Sequence, residues 1–72
     1  MKRETNYWAE FFNHHQEIIG SFTVSAYNPK QAMDRALDKF SQDLSLVRRV
    51  IIRGDDQSIK AEWNNKANLV PT

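Results

Sequence analysis

The sequence lacks cysteine and long hydrophobic runs, and each absence argues against a class of protein. Without cysteine, the chain has no disulfide framework, no thiol nucleophile and no thiolate ligands for a zinc ion. The longest apolar run is Val50-Ile51-Ile52, far shorter than the roughly 20 residues that span a bilayer. The charged N-terminal stretch precedes no apolar block of the secretory type. We therefore expect a cytoplasmic protein without a membrane partner.

A large excess of charge of one sign is also lacking. Ten Lys and Arg residues stand against nine Asp and Glu residues, for a net charge of +1. This balance disfavours a polycationic tail or an acidic nucleic-acid mimic as a property of the whole molecule. A chain of 72 residues is expected to form one domain. Folding at that size hides only roughly 60% of the unfolded chain's surface, which disfavours a deep catalytic cleft.

The N-terminal part of the chain predicts a β-hairpin. Two stretches rich in aromatic and β-branched residues flank a polar loop centred on His14-His15. Burial favours the register that pairs Phe12 with Glu17, since a slip of one residue would bury the Glu10 carboxylate. The predicted inward face consists of Tyr7, Ala9, Phe11, Ile18, Phe22, Val24 and Ala26.

The segment Asn28-Pro29-Lys30-Gln31 predicts the start of a helix. Asn28 suits the N-cap, Pro29 at the first helical position gives up no needed donor, and Gln31 completes a capping box. Apolar residues then recur with helical spacing on one side, while charged residues fill the other. The predicted apolar stripe comprises Met33, Ala36, Leu37, Phe40 and Leu44.

A second hairpin is predicted around the turn sequence Gly54-Asp55-Asp56-Gln57. A β-rich run precedes the turn over residues 46–53, and an alternating pattern follows it over 58–63. Closing the strands over a four-residue loop pairs Arg49 with Glu62 as a cross-strand ion pair. The predicted inward set is Val50, Ile52, Ile59, Ala61 and Trp63, with Ile52 opposite Ile59 and Val50 opposite Ala61.

These elements together predict an α+β fold of two layers. Its element order is β-β-α-β-β, with a four-stranded antiparallel sheet packed on one helix. The domain is predicted to span residues 1–63, and the Asn-rich segment 64–72 is predicted to be a flexible C-terminal tail. The residue pattern reveals no internal repeat, and it leaves the order of the strands in the sheet open.

The predicted sheet has one face covered by the helix and a second face left bare. Aromatic, Ile and basic side chains share that bare face with the ordinary polar ones. Exposed apolar patches mark interaction sites, and Trp, Tyr and Arg are frequent anchors. We predict a non-enzymatic protein-interaction module whose partner-binding residues are Trp8, Phe12, Tyr27, Arg49, Ile51, Arg53 and Lys60. The structural alternative is a sheet that curls round the helix and buries some of these side chains.

Two other occupants of the bare face remain open. Rings interleaved with basic residues also describe a platform for single-stranded nucleic acid. Its phosphate contacts would be a basic stripe of Arg48, Arg49, Arg53 and Lys60. Glu10 and Glu62 on the same face argue against this alternative, as does the absence of an RNP-like motif. A homodimer would also cover the face and would support a small core.

No pattern in the sequence predicts catalysis, a cofactor or a metal site. His14 and His15 are adjacent, and neighbouring side chains on an extended segment point to opposite sides, which suits a shared metal ion poorly. We expect both to be solvated, with hydrogen bonding at the loop tip as the alternative. The serines lack a G-x-S-x-G context, and neither Gly20 nor Gly54 opens a phosphate-binding loop before a helix.

The stretch from Gly20 to Ala32, GSFTVSAYNPKQA, runs from a strand directly into a capped helix. It resembles small proteins encoded by bacteriophages and mobile elements, including type I anti-CRISPR proteins in which a curved antiparallel sheet wraps one helix. In general layout the resemblance extends from Tyr7 to Trp63. It implies a non-enzymatic inhibitor, without a cofactor, that sterically occludes a host protein or nucleoprotein complex. It assigns no functional residue.

Overall fold

A computed structural model describes residues 3–40 and 44–65, which form four strands and one α-helix. The elements are β1 (Thr5–Phe12), β2 (Ile18–Ala26), α1 (Pro29–Lys39), β3 (Arg49–Arg53) and β4 (Ile59–Asn64). A 3-10 turn, Leu44–Leu46, leads into β3. The predicted α+β fold is confirmed. No helix in the described part of the chain is long and apolar enough to cross a membrane.

The four strands form one antiparallel sheet in the order β2-β1-β3-β4. Both predicted hairpins are present. In this order β2 and β4 are the edge strands. The two hairpins join through β1 and β3, which pair with Glu10 opposite Ile51. This central pairing, which the sequence left open, brings together strands that lie on either side of the helix in the chain.

One face of the sheet packs against α1 and forms the core. Phe11 is fully buried there, stacked on Phe40 with ring centroids 4.1 Å apart and against Phe22 with centroids 5.4 Å apart. Gly20 makes room for this stack, since a Cβ atom at that position would lie 2.9 Å from Phe40 Cε1. The other core residues are Ala9, Val24, Ala26, Ala32, Met33, Ala36, Val47, Val50 and Ile52.

Helix α1 begins where the sequence predicts. The side chain of Asn28, the N-cap, accepts a hydrogen bond from the backbone N–H of Gln31 at 2.8 Å, and Pro29 is the first helical residue. The Gln31 side chain accepts in return from the N–H of Tyr27 at 2.8 Å. The capping pair therefore reaches one residue further upstream than a capping box does.

The predicted apolar stripe of the helix is wrong at its C-terminal end. Helix α1 ends at Lys39, and the C-cap Phe40 still donates its N–H to Ala36 O. Leu44 belongs to the 3-10 turn and is exposed. Val47 is fully buried instead. Helical spacing stops predicting burial here because the chain leaves the helix to enter β3.

The first hairpin closes more tightly than predicted. Asn13 N–H donates to Glu17 O, and Gln16 N–H donates to Asn13 O, each at 3.0 Å. Gln16 has a φ of 63°, the left-handed conformation that follows a type I turn in short hairpin loops. A bulge between Phe11 and Phe12 then shifts the pairing once more.

These two steps move the first register by two residues in all. Phe12 pairs with Ile18 rather than with Glu17, so the predicted register is wrong. An even shift keeps the residues beyond the bulge on their predicted face, which is why Tyr7 still packs on the core. Between turn and bulge the faces change. Ile18, predicted inward, is 55% exposed, and Ile19 packs against the core instead.

The second hairpin repeats the same steps. Gly54 N–H donates to Ser58 O and Gln57 N–H donates to Gly54 O, each at 3.0 Å, and Gln57 has a φ of 69°. The pairing with β4 shifts between Ile52 and Arg53, with Lys60 of β4 as the extra residue. Ile59, predicted inward opposite Ile52, therefore pairs with Arg53 and is 55% exposed.

The two hairpins are equivalent in backbone pairing. Adding 41 to the residue numbers converts the pair Phe12–Ile18 of the first hairpin into the pair Arg53–Ile59 of the second. The same offset converts the next four pairs beyond each bulge, and it is consistent with the central pairing of β1 with β3. The sheet thus has an approximate two-fold axis between β1 and β3 that the residue pattern does not reveal.

The first two residues of the predicted tail belong to the folded part. Asn64 is the last residue of β4. Asn65 Nδ2 donates to Leu44 O at 3.0 Å and to Val47 O at 3.1 Å, which ties the 3-10 turn to the end of the sheet. The rest of the predicted tail, 66–72, lies outside the described residues.

Candidate functional site

The outer face of the sheet, the side away from α1, is formed by cross-strand rows that alternate with the core residues. Three rows cross from β2 to β4. They are Thr23–Trp8–Arg53–Ile59, Ser21–Glu10–Ile51–Glu62 and Ile18–Phe12–Arg49–Asn64. Five of the seven predicted binding residues lie in these rows. Trp8 and Arg53 lie at one end of the outer face, Ile51 lies in the middle, and Phe12 and Arg49 lie at the other end.

The middle of the outer face is closed by an ion-pair cluster of Glu10, Arg49, Arg53 and Glu62. Arg53 Nε lies 2.8 Å from Glu10 Oε1, and Arg49 Nη1 lies 3.8 Å from Glu62 Oε2. The sequence predicted the second pair as directly opposed residues. Arg49 instead lies opposite Asn64, so this ion pair runs diagonally across the strands.

Ile51 lies beneath the ion-pair cluster. Its cross-strand neighbours are Glu10 and Glu62, and only 5% of its surface is exposed. Long charged side chains cover apolar neighbours with their stems while the charged heads stay in water. The prediction of Ile51 as an exposed apolar contact is therefore wrong.

Trp8 lies at one end of the outer face beside an open groove of about 450 Å³. The residue is 39% exposed. The groove, which we call the tryptophan groove, is lined by Asn6, Tyr7, Trp8 and Thr23 of the first hairpin and by Gly54, Asp55 and Gln57 of the second turn. Arg53 and Ile59 continue the row that Trp8 begins on β1, so apolar surface extends beyond the groove.

A second cleft, of about 340 Å³, lies at the opposite end of the outer face. This basic cleft is lined by Phe12, Asn13, His14 and Gln16 from the first hairpin and by Arg48, Arg49 and Asn64 from the second. Arg49 Cζ lies 5.1 Å from the centroid of the Phe12 ring, in a cation–π contact. Two predicted binding residues, Phe12 and Arg49, thus belong to this end and not to the surface around Trp8.

The tryptophan groove and the basic cleft occupy equivalent positions in the approximate two-fold arrangement. Gly54 of the first corresponds to Asn13 of the second, and Trp8 corresponds to Arg49. The backbone therefore forms a groove at each end, and the side chains decide the chemistry. Sequence reasoning missed both grooves because each is built from residues of both hairpins.

Lys60 and Tyr27, the remaining predicted binding residues, line neither groove. Lys60 Nζ pairs with Asp56 Oδ2 at 3.5 Å across the second turn. Tyr27 follows β2 at the N-terminal end of α1, where it is exposed. The predicted binding surface is thus not one continuous patch.

The two turns are held by different polar side chains. Asn13 Oδ1 accepts from the N–H groups of His15 and Glu17, both at 2.9 Å. In the second turn, Asp56 Oδ1 accepts from the Oγ of Ser58 at 2.7 Å and from its N–H at 3.1 Å. These hydrogen bonds, the hydroxyl first, favour the ionised carboxylate and lower the pKa of Asp56 from its usual value.

His14 and His15 lie against each other at the tip of the first turn, with ring centroids 4.1 Å apart. Both are exposed. Within residues 3–40 and 44–65, no three His, Asp or Glu side chains come together as metal ligands would. His14 lines the basic cleft, which places it beside guanidinium groups rather than beside carboxylates.

Comparison with known proteins does not add a relative: no protein-family model matches the sequence, and no curated protein or solved structure is significantly similar to it. The resemblance to anti-CRISPR proteins therefore stays a prediction. The geometry of the outer face is the remaining basis for a function.

Proposed function

We propose that this protein is a non-enzymatic protein-interaction module whose partner docks on the outer face at the tryptophan groove. The observation that carries the proposal is the exposed ring of Trp8 beside a groove of about 450 Å³. Trp is among the residues most enriched at binding hot spots. An amphipathic ring that folding leaves partly in water is available to a partner. Ile59 adds exposed apolar surface in the same row.

The groove favours a partner that presents an apolar side chain surrounded by hydrogen-bonding groups. The indole of Trp8 supplies the apolar wall, and Asn6, Thr23 and Asp55 supply polar groups at its border. An apolar centre with a polar rim is the usual anatomy of a protein interface. Arg53, held 2.8 Å from a carboxylate, gives the border a fixed ion pair that orients a partner.

Charge pairing favours a protein over nucleic acid as the occupant of this face. Two of the three basic residues predicted to contact a partner, Arg53 and Lys60, lie 2.8 and 3.5 Å from carboxylate oxygens, and the third, Arg49, lines the cleft at the opposite end of the face. Binding along a phosphate backbone relies on cations that replace condensed counterions. Arginines already paired with carboxylates serve that purpose poorly, and Asp55 adds a negative charge to the tryptophan groove.

Replacing Trp8 tests the proposal. Affinity capture from nuclease-treated extract identifies the partner, and calorimetry with the purified partner measures the affinity. Trp8→Ala is expected to weaken binding by more than about 1 kcal/mol and to leave the thermal midpoint nearly unchanged. Leu46→Ala removes an exposed apolar side chain outside both grooves and is expected to leave the affinity unchanged.

Several outcomes would contradict this proposal. A large fall in the thermal midpoint of Trp8→Ala would make the ring a structural element. Capture that disappears after nuclease treatment, with oligonucleotide binding that weakens steeply with salt, would favour the nucleic-acid alternative. A sedimentation mass near twice 8.4 kDa that Trp8→Ala returns to the monomer would identify a second copy as the occupant.

We further propose, on the strength of the resemblance, that the module is a bacteriophage-type inhibitor that sterically occludes a host protein or nucleoprotein complex. Its mechanism needs a rigid surface and no chemistry of its own. Wild-type protein is then expected to inhibit the captured partner's activity, and Trp8→Ala is expected to inhibit it less. Tight binding without inhibition would support the proposal of an interaction module and contradict the proposal of an inhibitor.

A further inference from the structure

The basic cleft collects positive charge without a carboxylate in its lining. Its lining includes Phe12, His14, Gln16, Arg48, Arg49 and Asn64. Two carboxylates nearby in the fold are already engaged, one by a turn amide and the other by Arg49 itself. Glu17 accepts a hydrogen bond from Asn13 Nδ2 at 3.0 Å, and Glu62 lies 3.8 Å from Arg49. The cleft therefore has donors in excess of acceptors.

Arg48 is the cation in this cleft that no carboxylate of the described residues neutralises. Among the described residues it takes part in no ion pair, whereas Arg49 is within reach of Glu62 at 3.8 Å. That distance is long for a charge-assisted hydrogen bond, so Arg49 also keeps donors for another acceptor. A half-buried guanidinium group without an anion is suited to bind one in its planar fork.

Backbone hydrogen bonds hold the main chain of Arg48, and a cation–π contact holds the side chain of Arg49. Arg48 N–H donates to Phe12 O at 2.8 Å, and Arg48 O accepts from Asn65 N–H at 2.9 Å. Arg49 is held over the Phe12 ring at 5.1 Å. Groups that are already ordered lose less conformational entropy when a ligand binds. The Arg49 side of the cleft is therefore preorganised for an anion, and the position of Arg48 is fixed at its backbone.

We infer that the basic cleft binds a phosphate group. Two guanidinium groups, an imidazole and the side-chain amides of Gln16 and Asn64 offer more donors than the two oxygens of a carboxylate can accept. A phosphate monoester presents three oxygens and nearly two negative charges to such a set. The volume of about 340 Å³ leaves room for the carbon skeleton that carries the phosphate. The shared chemistry is that of inorganic phosphate or of a phosphorylated serine.

The tryptophan groove provides an internal contrast for this inference. Through the offset of 41 residues, Trp8 takes the place of Arg49 and Asp55 takes the place of His14. The same backbone thus carries a ring and a carboxylate at one end and cations at the other. Phosphate binding is expected at the cationic end alone, because side chains and not backbone amides supply the donors.

An NMR titration of the ¹⁵N-labelled full chain with inorganic phosphate, at constant pH and ionic strength, tests the inference. Amide shifts are expected in residues 13–16, 48–49 and 64, and not around the tryptophan groove. Acetate in place of phosphate is expected to bind at least about tenfold more weakly. O-Phosphoserine distinguishes the two sources: tighter binding than phosphate assigns the cleft to a phosphorylated side chain, and equal binding assigns it to free phosphate.

Matched variants separate a site from general attraction. Arg48→Gln is expected to weaken phosphate binding about tenfold. Arg3→Gln also removes one positive charge, from the segment that precedes β1, whereas Arg48 bonds to Phe12 at the other end of that strand. This variant is expected to weaken phosphate binding by less than about twofold. His14→Gln alters an exposed turn, so it keeps the test valid if Arg48→Gln does not fold, and it is expected to cost about threefold.

Three results would overturn the inference: equal losses in Arg48→Gln and Arg3→Gln, acetate binding as tight as phosphate, or shifts spread over the whole surface. The inference does not rest on the proposed function, because the titration contains no protein partner. Trp8→Ala is expected to bind phosphate as the wild type does. Failure at the basic cleft and failure at the tryptophan groove are therefore distinguishable.

Discussion

The first hairpin, β1–β2, and the second, β3–β4, have the same turn, bulge and pairing, but they bury different side chains. Phe11 of the first hairpin stacks on Phe40 and lies against Phe22. The equivalent residue of the second hairpin is Ile52, which is also fully buried but has no ring. One backbone arrangement is thus used twice, with the Phe11 ring stack in the first hairpin and Trp63 packed against the core from the second.

The same comparison extends to the turns and to the outer face. A neutral amide, Asn13, holds the first turn, and a carboxylate, Asp56, holds the second. Basic side chains line the cleft at the first turn, and Trp8 lies beside the groove at the second. Backbone pairing sets where groups are placed, and the side chains set what each end can bind.

The largest expected effect comes from the two equivalent core residues. Phe11→Ala is expected to lower the free energy of unfolding by about 4 kcal/mol, and Ile52→Ala by about 3 kcal/mol, because Phe11 loses more buried surface and two ring contacts. Urea denaturation measures both. If the alanine variants do not fold, Phe11→Leu and Ile52→Val give the milder pair. A greater loss of stability in Ile52→Ala would contradict the expectation that the first hairpin contributes more to the core.

A smaller effect is expected at the two glycines, one in each hairpin. Gly20→Ala would place a Cβ 2.9 Å from Cε1 of the stacked Phe40 ring, so it is expected to cost about 1–2 kcal/mol. Gly54→Ala would meet Lys60 Cε at 2.8 Å and Asp56 Oδ1 at 3.1 Å. Both atoms belong to exposed side chains, so we expect a smaller loss of about 0.5 kcal/mol. Thermal unfolding of both variants checks this. Equal losses of stability in the two variants would show that the Phe40 ring moves aside as readily as the Lys60 side chain does.

The smallest expected effect is a difference in acid sensitivity between the two turns. Folding lowers the pKa of Asp56 from the ordinary value of 3.8, so its carboxylate stabilises the folded state above that value. The contribution is lost as the pH falls through the lowered pKa. Asn13 does not titrate, so the two backbone N–H groups that its Oδ1 accepts in the first turn are expected to stay bonded in acid.

The acid titration is followed by NMR at the two equivalent turns. The amide of Ser58, bonded to the Asp56 carboxylate itself, is expected to shift strongly as Asp56 is protonated, while the amide of His15, bonded to the Asn13 amide oxygen, is expected to shift less. Asp56→Asn is expected to remove the Ser58 transition and to flatten the stability profile in that acid range. An unchanged profile in Asp56→Asn would assign the acid sensitivity to other carboxylates.

The faces of the strands were predictable although both registers were not. Tyr7 and Val50 pack inward as predicted, because an error of two residues in register preserves the alternation. Ile18 and Ile59 lie between turn and bulge, where the shift is odd, so both changed face. The left-handed glutamines and the bulges that cause this have no residue signal of the kind that an Asn-Gly turn provides.

The candidate site was predicted in composition and not in arrangement. Trp8 is exposed as expected, whereas Ile51 is covered because the ion-pair cluster closes over it. Arg48 was considered only as part of a basic stripe, and its place in a cleft with His14 depends on how the first turn meets the end of β4. Contacts between the two hairpins follow from the central pairing of strands, which local patterns do not report.

The sequence by itself determined the strands and the helix, the N-cap at Asn28 and most of the residues that form the core, because capping and alternation are local properties of the chain. It also excluded disulfide and thiolate chemistry through the lack of cysteine. Only the tertiary structure decided the order β2-β1-β3-β4 and the approximate two-fold relation. The two opposed grooves at Trp8 and Arg48 depend on that order, since each is assembled from side chains that lie far apart in the chain.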